Sequence, residues 1–376
     1  MTRQIVLVAA LLALSASESA AQTSVYSVLG LGYPGRAISV RTRAMGGGLA
    51  TLDPGSALNP GAVAAYRQLS TSVTVTSSFR EYTVGDNAVS DLHDTRFAYA
   101  SIGGPFGNAP VAFNLSFATY LDRTYNVVDT GRVEIRSDTV GYVENISSDG
   151  AVIDLRGAVA WEIDPKLRAG AALHILSGTT ENIFRRIFEG TDYAPLQRDD
   201  RVSFTGFGGS AGIVYLPEPY LRLGASVRIN SDVNVKLTED VTIGKTPLPT
   251  EVSGGLFFAP IPTIRFASTA IWRSWSKTAE GSLAPDAANA YDTWEIGSGV
   301  ELQGPSNVPL RFGFRYAQLP YSPAEQAREI NLSFGSGLGF AQGRATIEYA
   351  IERVLRDGGG VEERVWMFSF ELRVVP

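Results

Sequence analysis

The sequence predicts an all-β fold: a 14-stranded antiparallel transmembrane β-barrel preceded by an N-terminal plug segment. Three observations carry this. The N-terminus reads as an export signal. From Leu69 onward, apolar and polar residues alternate with period two. The links between the alternating segments are short and long in turn.

The export signal has its parts in order. Arg3 supplies a positive start, Ile5 to Leu14 is an unbroken apolar run of ten residues, and Ser19-Ala20-Ala21 is a small-residue cleavage site before Gln22. Ten residues are too few for a spanning helix, which needs about 20. After residue 21 no apolar run approaches that length, so an exported chain of this kind is either soluble or a barrel. Charged residues are only 19% of the 376, and Gly is frequent at 39 with 15 Tyr and 18 Phe. This composition suits many strands and tight turns. With a formal net charge of -6 and scattered basic residues, nothing resembles a nucleic-acid footprint. The absence of cysteine excludes disulfides, thiol chemistry and a lipid anchor on Cys, and His93 and His174 are too few for a His-rich metal centre.

Alternating segments fall near 69–80, 93–104, 109–121, 150–163, 166–177, 201–216, 219–230, 248–260, 262–276, 292–303, 306–318, 327–337, 340–354 and 361–375. Leu221, Leu223, Ala225, Val227 and Ile229, interleaved with Arg222, Gly224, Ser226, Arg228 and Asn230, give the clearest case. Short links such as Asp164-Pro165 and Pro217-Glu218 alternate with the longer 122–149, 178–200, 231–247 and 277–291. Outer-membrane barrels have short periplasmic turns and long outer loops. A soluble β-sandwich shares the alternation but has no reason for this asymmetry. Period two also sorts the residues by face. One face carries Trp161, Phe258, Trp294, Phe312, Phe314, Trp366, Phe368 and Phe370. The other carries Arg156, Glu162, Arg222, Arg228, Arg265, Arg273, Glu295, Glu301, Arg311, Arg315, Glu348 and Glu371. The expected arrangement turns the first face to lipid and the second into a wet lumen braced by ion pairs. The predicted organisation is a signal peptide over 1–21, a plug over 22–68 and the barrel over 69–376, multi-pass in a Gram-negative-type outer membrane.

Residues 22–68 are rich in Gly, Ala and Pro and do not read as strands. Ser24-Val25-Tyr26-Ser27 with Gly30-Leu31-Gly32, then Arg43-Ala44-Met45-Gly46-Gly47, then Ala57-Leu58-Asn59-Pro60-Gly61, resemble the N-terminus of FadL-like outer-membrane transporters, the long-chain fatty-acid and aromatic-hydrocarbon channels. The resemblance covers about 40 residues. It implies a 14-stranded barrel, an N-terminal hatch in the lumen, and an Asn-Pro-Ala hatch motif that here is Asn59, Pro60 and Gly61, with Gly in place of Ala. It further implies passive uptake of hydrophobic small molecules, with exit sideways at a kinked third strand. The third segment, 109–121, has Asn114 and Ser116 on its inward parity and no internal Gly or Pro to mark such a kink. Candidate apolar lumen contacts for a ligand are Tyr120, Phe257, Ile271 and Trp275. Related barrels act as secretion components or protein-attachment platforms. That role, or a general porin, is the alternative.

Two motifs point elsewhere and are set aside. Gly30-Leu31-Gly32-Tyr33-Pro34-Gly35 matches a dinucleotide fingerprint but lacks the preceding strand and following helix. Gly208-Gly209-Ser210-Ala211-Gly212 matches a nucleophile elbow but sits within an alternating segment, where its glycines suggest a bulge or bend. His174 has inward parity, yet the sequence names no partner for it. Asp199, Asp200, Glu239 and Asp240 read as solvated loop charges. The expectation is therefore no enzyme, no cofactor and no metal. The expected partners are outer-membrane lipid, a hydrophobic small-molecule ligand and, on the alternative reading, a periplasmic or surface protein.

Overall fold

A computed structural model of the chain describes residues 24–84, 87–135, 138–190, 193–237, 241–281, 289–304 and 308–375. The expected signal peptide, 1–21, lies outside the described residues, as do Glu239 and Asp240.

The polypeptide forms a closed antiparallel barrel of 14 strands. They are β1 (Ser70–Val84), β2 (Asn87–Pro105), β3 (Val111–Asp122), β4 (Asp138–Asp164), β5 (Leu167–Phe188), β6 (Leu196–Glu218) and β7 (Leu221–Asn230). The second half comprises β8 (Glu251–Ile261), β9 (Ile264–Arg273), β10 (Thr293–Gln303), β11 (Pro309–Gln318), β12 (Arg328–Phe340), β13 (Ala345–Gly358) and β14 (Val361–Val374). Each of the 14 alternating segments coincides with one strand. Strands pair with their chain neighbours, and β14 closes on β1 from Thr71 opposite Val374 to Val84 opposite Val361. Closure satisfies the backbone groups that an open edge would expose to hydrocarbon.

The residue pattern is inside-out relative to a soluble domain. Trp161, Leu173, Phe207 and Leu332 point outward and are each more than half exposed, at 57%, 75%, 64% and 58%. Such a belt is unstable in water and at rest among lipid tails. Arg156, Glu301, Arg311, Arg315, Glu348 and Glu371 point inward and are buried, as the parity required. The protein is an outer-membrane barrel.

Strands β4, β5 and β6 have 27, 22 and 23 residues, where about 9–11 suffice to cross a bilayer. Their outer halves stand beyond the membrane and continue the ladder. Links read as loops are therefore partly strand. Tyr125–Ile135 lies in 122–149 and pairs with β4. Val233–Leu237 and Val241–Thr246 form a hairpin in 231–247. Neither face of Tyr125–Ile135 is buried, so no clean apolar stripe is required of its sequence, whereas Val233–Leu237 is short and buries only Val233 and Val235.

The Gly208–Gly212 run is not a bulge. Register is unbroken there against both β5 and β7, and the first shift on that side falls between Tyr215 and Glu218. Conversely, β3 does carry an irregularity that its lack of Gly and Pro argued against. The β3–β4 register shifts at Tyr120, and the β1–β2 register shifts at Ala98. A bulge needs no special residue when the extra residue stays in an ordinary conformation, and it bends the strand and ends pairing. Here the last β2–β3 pair is Tyr99 with Ala118, and the bulges fall just further out, one residue along on β2 and two on β3. Beyond that point β2 continues beside β1 alone. The freed edge of β3 pairs instead with Tyr33-Pro34 of the N-terminal segment, Tyr33 opposite Asp122 and Pro34 opposite Leu121.

Candidate functional site

The N-terminal segment touches opposite sides of the barrel's inner face. Asn59 caps a 3-10 turn, Pro60–Ala65, and is fully buried. Its Nδ2 donates to Thr51 O at 2.8 Å and Ile213 O at 3.0 Å, and its Oδ1 accepts from Gly61 N at 2.8 Å. The whole amide is satisfied, which explains an asparagine before this proline. The departure from the Asn-Pro-Ala pattern also has a cause. A Cβ at Gly61 would lie 2.7 Å from Gly212 O, and one at Gly212 only 2.1 Å from Asn59 Oδ1. Gly212 thus clears room for Asn59, which is the role of the run read from sequence as a bend.

Across the lumen, the short helix Val40–Ala44 lies against β12 and β13. Val40 N donates to Glu371 at 2.8 Å, and Gly46, at φ +61°, presses on the backbone at Phe314. Three arginines of the segment reach wall glutamates. Arg36 and Arg43 meet Glu352 at 3.0 and 3.4 Å, and Arg41 meets Glu301 in two bonds of 2.9 and 3.0 Å. Asp53 gathers the Ser39, Thr42 and Ser56 hydroxyls and Gly55 N. Burial pushes its carboxyl up, but Arg373, these donors and Arg41 together hold it below the usual carboxylate range.

Two cavities flank the stretch Pro34–Arg36, which lines both. The first, about 80 Å³, is lined by Tyr120, Ile271 and Trp275 together with Asp154, His174, Ser210, Arg228 and Arg273, and the Arg228 guanidinium lies over the Tyr120 ring. The second, about 110 Å³, is lined by Tyr33, Asp94, Arg96, Ala98, Thr119, Asp122, Val354 and Met367, and so sits where β2 and β3 part. Arg96 spans the parting. Its Nε meets Asp94 at 2.5 Å, and it is ion-paired to Asp122 across on β3.

Three of the four candidate contacts therefore share one cavity. Tyr120 and Ile271 reach it from β3 and β9, and Trp275 from a 3-10 turn just past β9. Trp275 also packs edge-on to Tyr321, and both belong to an apolar cluster with Leu31, Leu176, Phe204 and Val235. Phe257 is not with them. It lies toward the short-turn end beside Leu49 and Leu52, under the Arg222 guanidinium. Sequence reasoning missed Asp154 and Ser210 as neighbours of His174. It also missed Arg96 and Asp122, whose partnership depends on the gap.

A family model, BamG, matches residues 1–253, more than half of the chain. The chain belongs to the BamG family. No curated protein matches this BamG-family chain. Solved structures do match. The toluene transporter TbuX of Ralstonia pickettii is 16% identical with a TM-score of 0.62, covering 90% of this chain and 98% of its own. The CymD monoaromatic hydrocarbon channel is 14% identical with a TM-score of 0.60, covering 93% and 99%. A FadL homologue of Pseudomonas aeruginosa is 13% identical with a TM-score of 0.62, covering 91% and 99%. The FadL-like barrel anticipated from residues 24–61 is the fold observed. At these identities the likeness is one of fold.

Proposed function

We propose that this protein is a passive outer-membrane channel for hydrophobic small molecules. Residues 22–68 are its hatch, and solutes exit through the wall between β2 and β3. The observation that carries the reading is the parting of β2 from β3, with a cavity at it and the N-terminal segment paired to the freed edge of β3. A hydrophobic solute that leaves toward the bilayer avoids a charged lumen. Tyr120, Ile271 and Trp275 line the upstream cavity, and the Pro34–Arg36 stretch stands between the two cavities. Shifting that stretch joins them. The solved structures of this fold are described as toluene and monoaromatic hydrocarbon channels, which makes an aromatic hydrocarbon or long-chain acid the first solute to try.

The test is flux. Proteoliposomes should take up toluene or a long-chain acid faster than protein-free liposomes, with no matching rise in sucrose entry. The Arg96→Ala variant should be faster still, because it removes the ion pair across the gap. Hydrophobic uptake no faster than in protein-free liposomes contradicts the proposal, and fast sucrose entry favours a porin.

A second reading has its own observation. The sheet that β4 and β5 raise above the membrane exposes Val128, Val143, Ile183 and Ile187 at 61%, 42%, 37% and 45%. Exposed apolar side chains outside the bilayer suit a protein partner. Stable recovery of one surface protein, without solute flux, would favour an attachment platform.

A further inference from the structure

Three inward side chains on adjacent strands form a hydrogen-bonded row. In the β4–β5 ladder Arg156 is opposite His174, and in the β5–β6 ladder Gly208 is opposite His174. Asp154 and Ser210 each lie two residues along from those positions, one on either side of His174. His174 Nδ1 is 2.9 Å from Asp154 Oδ2, and His174 Nε2 is 2.9 Å from Ser210 Oγ. All three are buried, and all three border the first cavity. A carboxylate accepts only, so Asp154 fixes the proton on Nδ1. Nε2 is then free to accept from the serine hydroxyl.

Two further observations separate this row from a purely structural hydrogen-bond chain. Arg228, directly opposite Ser210 on β7, donates through Nη1 to Asp154 at 2.7 Å, while its Nη2 is buried and has no partner. The cavity that Ser210 borders is also lined by the aromatic and aliphatic side chains of Tyr120, Ile271 and Trp275. The site thus offers a nucleophile with its base, an unused cationic donor, and room for an apolar group.

We propose that Ser210 is the nucleophile of an esterase site for small carboxylic esters inside the lumen. Ser210 Oγ attacks the ester carbonyl carbon and its proton passes to His174 Nε2. The carbonyl electron pair moves onto oxygen, where Arg228 Nη2 donates to it. Backbone N–H groups here are held in the ladder, so the oxyanion contact comes from a side chain. Collapse breaks the C–O bond, and the leaving alkoxide takes the proton from His174. Water then attacks the acyl-Ser210 and gives a proton to His174. The acid departs as that proton returns to Ser210. Ester and water become acid and alcohol, and no co-reactant is needed. Asp154 is a positioning residue that acts through His174. None of this depends on the transport reading.

The test uses the purified full-length protein in detergent, a fluorophosphonate probe and p-nitrophenyl butyrate. The expected result is a single phosphonylated serine, mapped to Ser210 by mass spectrometry, with esterase activity that Ser210→Ala abolishes. His174→Asn and Asp154→Asn should slow labelling by about 10³-fold or more while heat-modifiable migration on gels stays that of the folded barrel. No adduct on the folded wild type, an adduct on another serine, or labelling indifferent to His174 overturns the proposal.

Discussion

Removal of residues 24–66 converts the barrel into a conducting pore. In planar bilayers the conductance should rise by roughly tenfold or more over the intact protein, because a barrel of this strand number is wide enough to conduct only when its interior is clear. On the proposed reading the segment is a hatch, and two of its short helical turns contact different parts of the wall. The Pro60–Ala65 turn lies against β4–β6 and the Val40–Ala44 helix against β11–β13. The deletion also changes selectivity. It removes Arg36, Arg41 and Arg43 and only one acid, Asp53, so the lumen loses two net positive charges. Glu301, Glu352 and Glu371 lose the segment groups they now bind. A salt gradient should then give a reversal potential of cation-preferring sign. Conductance unchanged by the deletion would mean that the segment does not obstruct the lumen.

The second large effect is on stability. Glu301→Ala should lower the free energy of unfolding by about 3–5 kcal/mol, the cost of stranding buried charge. Glu301 is 1% exposed and its carboxylate serves three arginines: Arg41 of the N-terminal segment, Arg265 on β9 at 2.6 Å and Arg311 on β11 at 2.7 Å. Arg311 continues to Glu348, so the cluster ties β9, β10, β11 and β13 to the segment. Glu301→Gln keeps an acceptor oxygen and should cost less. Urea unfolding of the folded barrel in micelles measures both. Equal stability of all three proteins would mean that water replaces the carboxylate freely.

The wall was legible because lipid and lumen make opposite demands on alternate residues. Leu223, Val227 and Ile229 face out while Ser226 and Arg228 face in. Where both faces meet water, as over Tyr125–Ile135, the demand lapses and the strand was not seen. Parity fixes a face but not a depth. Phe257 and Ile271 share the inward face, yet Phe257 is four residues from the Ile261 turn and Ile271 near the opposite end of its strand, a count available from sequence. Other features need the register itself. The two-residue stagger that joins Asp154, His174 and Ser210 spans 56 residues of chain, from three strands whose alignment no local pattern states. The bulges at Ala98 and Tyr120 likewise use ordinary residues. The Asn59-Pro60-Gly61 motif was readable, but the reason for its glycine was not, since it lies in Gly212 on a distant strand.

The proposed channel requires that solutes leave between β2 and β3. The chain has no cysteine, so Ala98→Cys with Thr119→Cys creates a single pair where the ladder stops, one step beyond Tyr99 and Ala118. Toluene uptake into proteoliposomes, measured with this pair oxidised and then reduced, is the decisive measurement. The expected result is uptake lost on oxidation and restored by reductant. Uptake that continues undiminished through a fully cross-linked wall would contradict the exit.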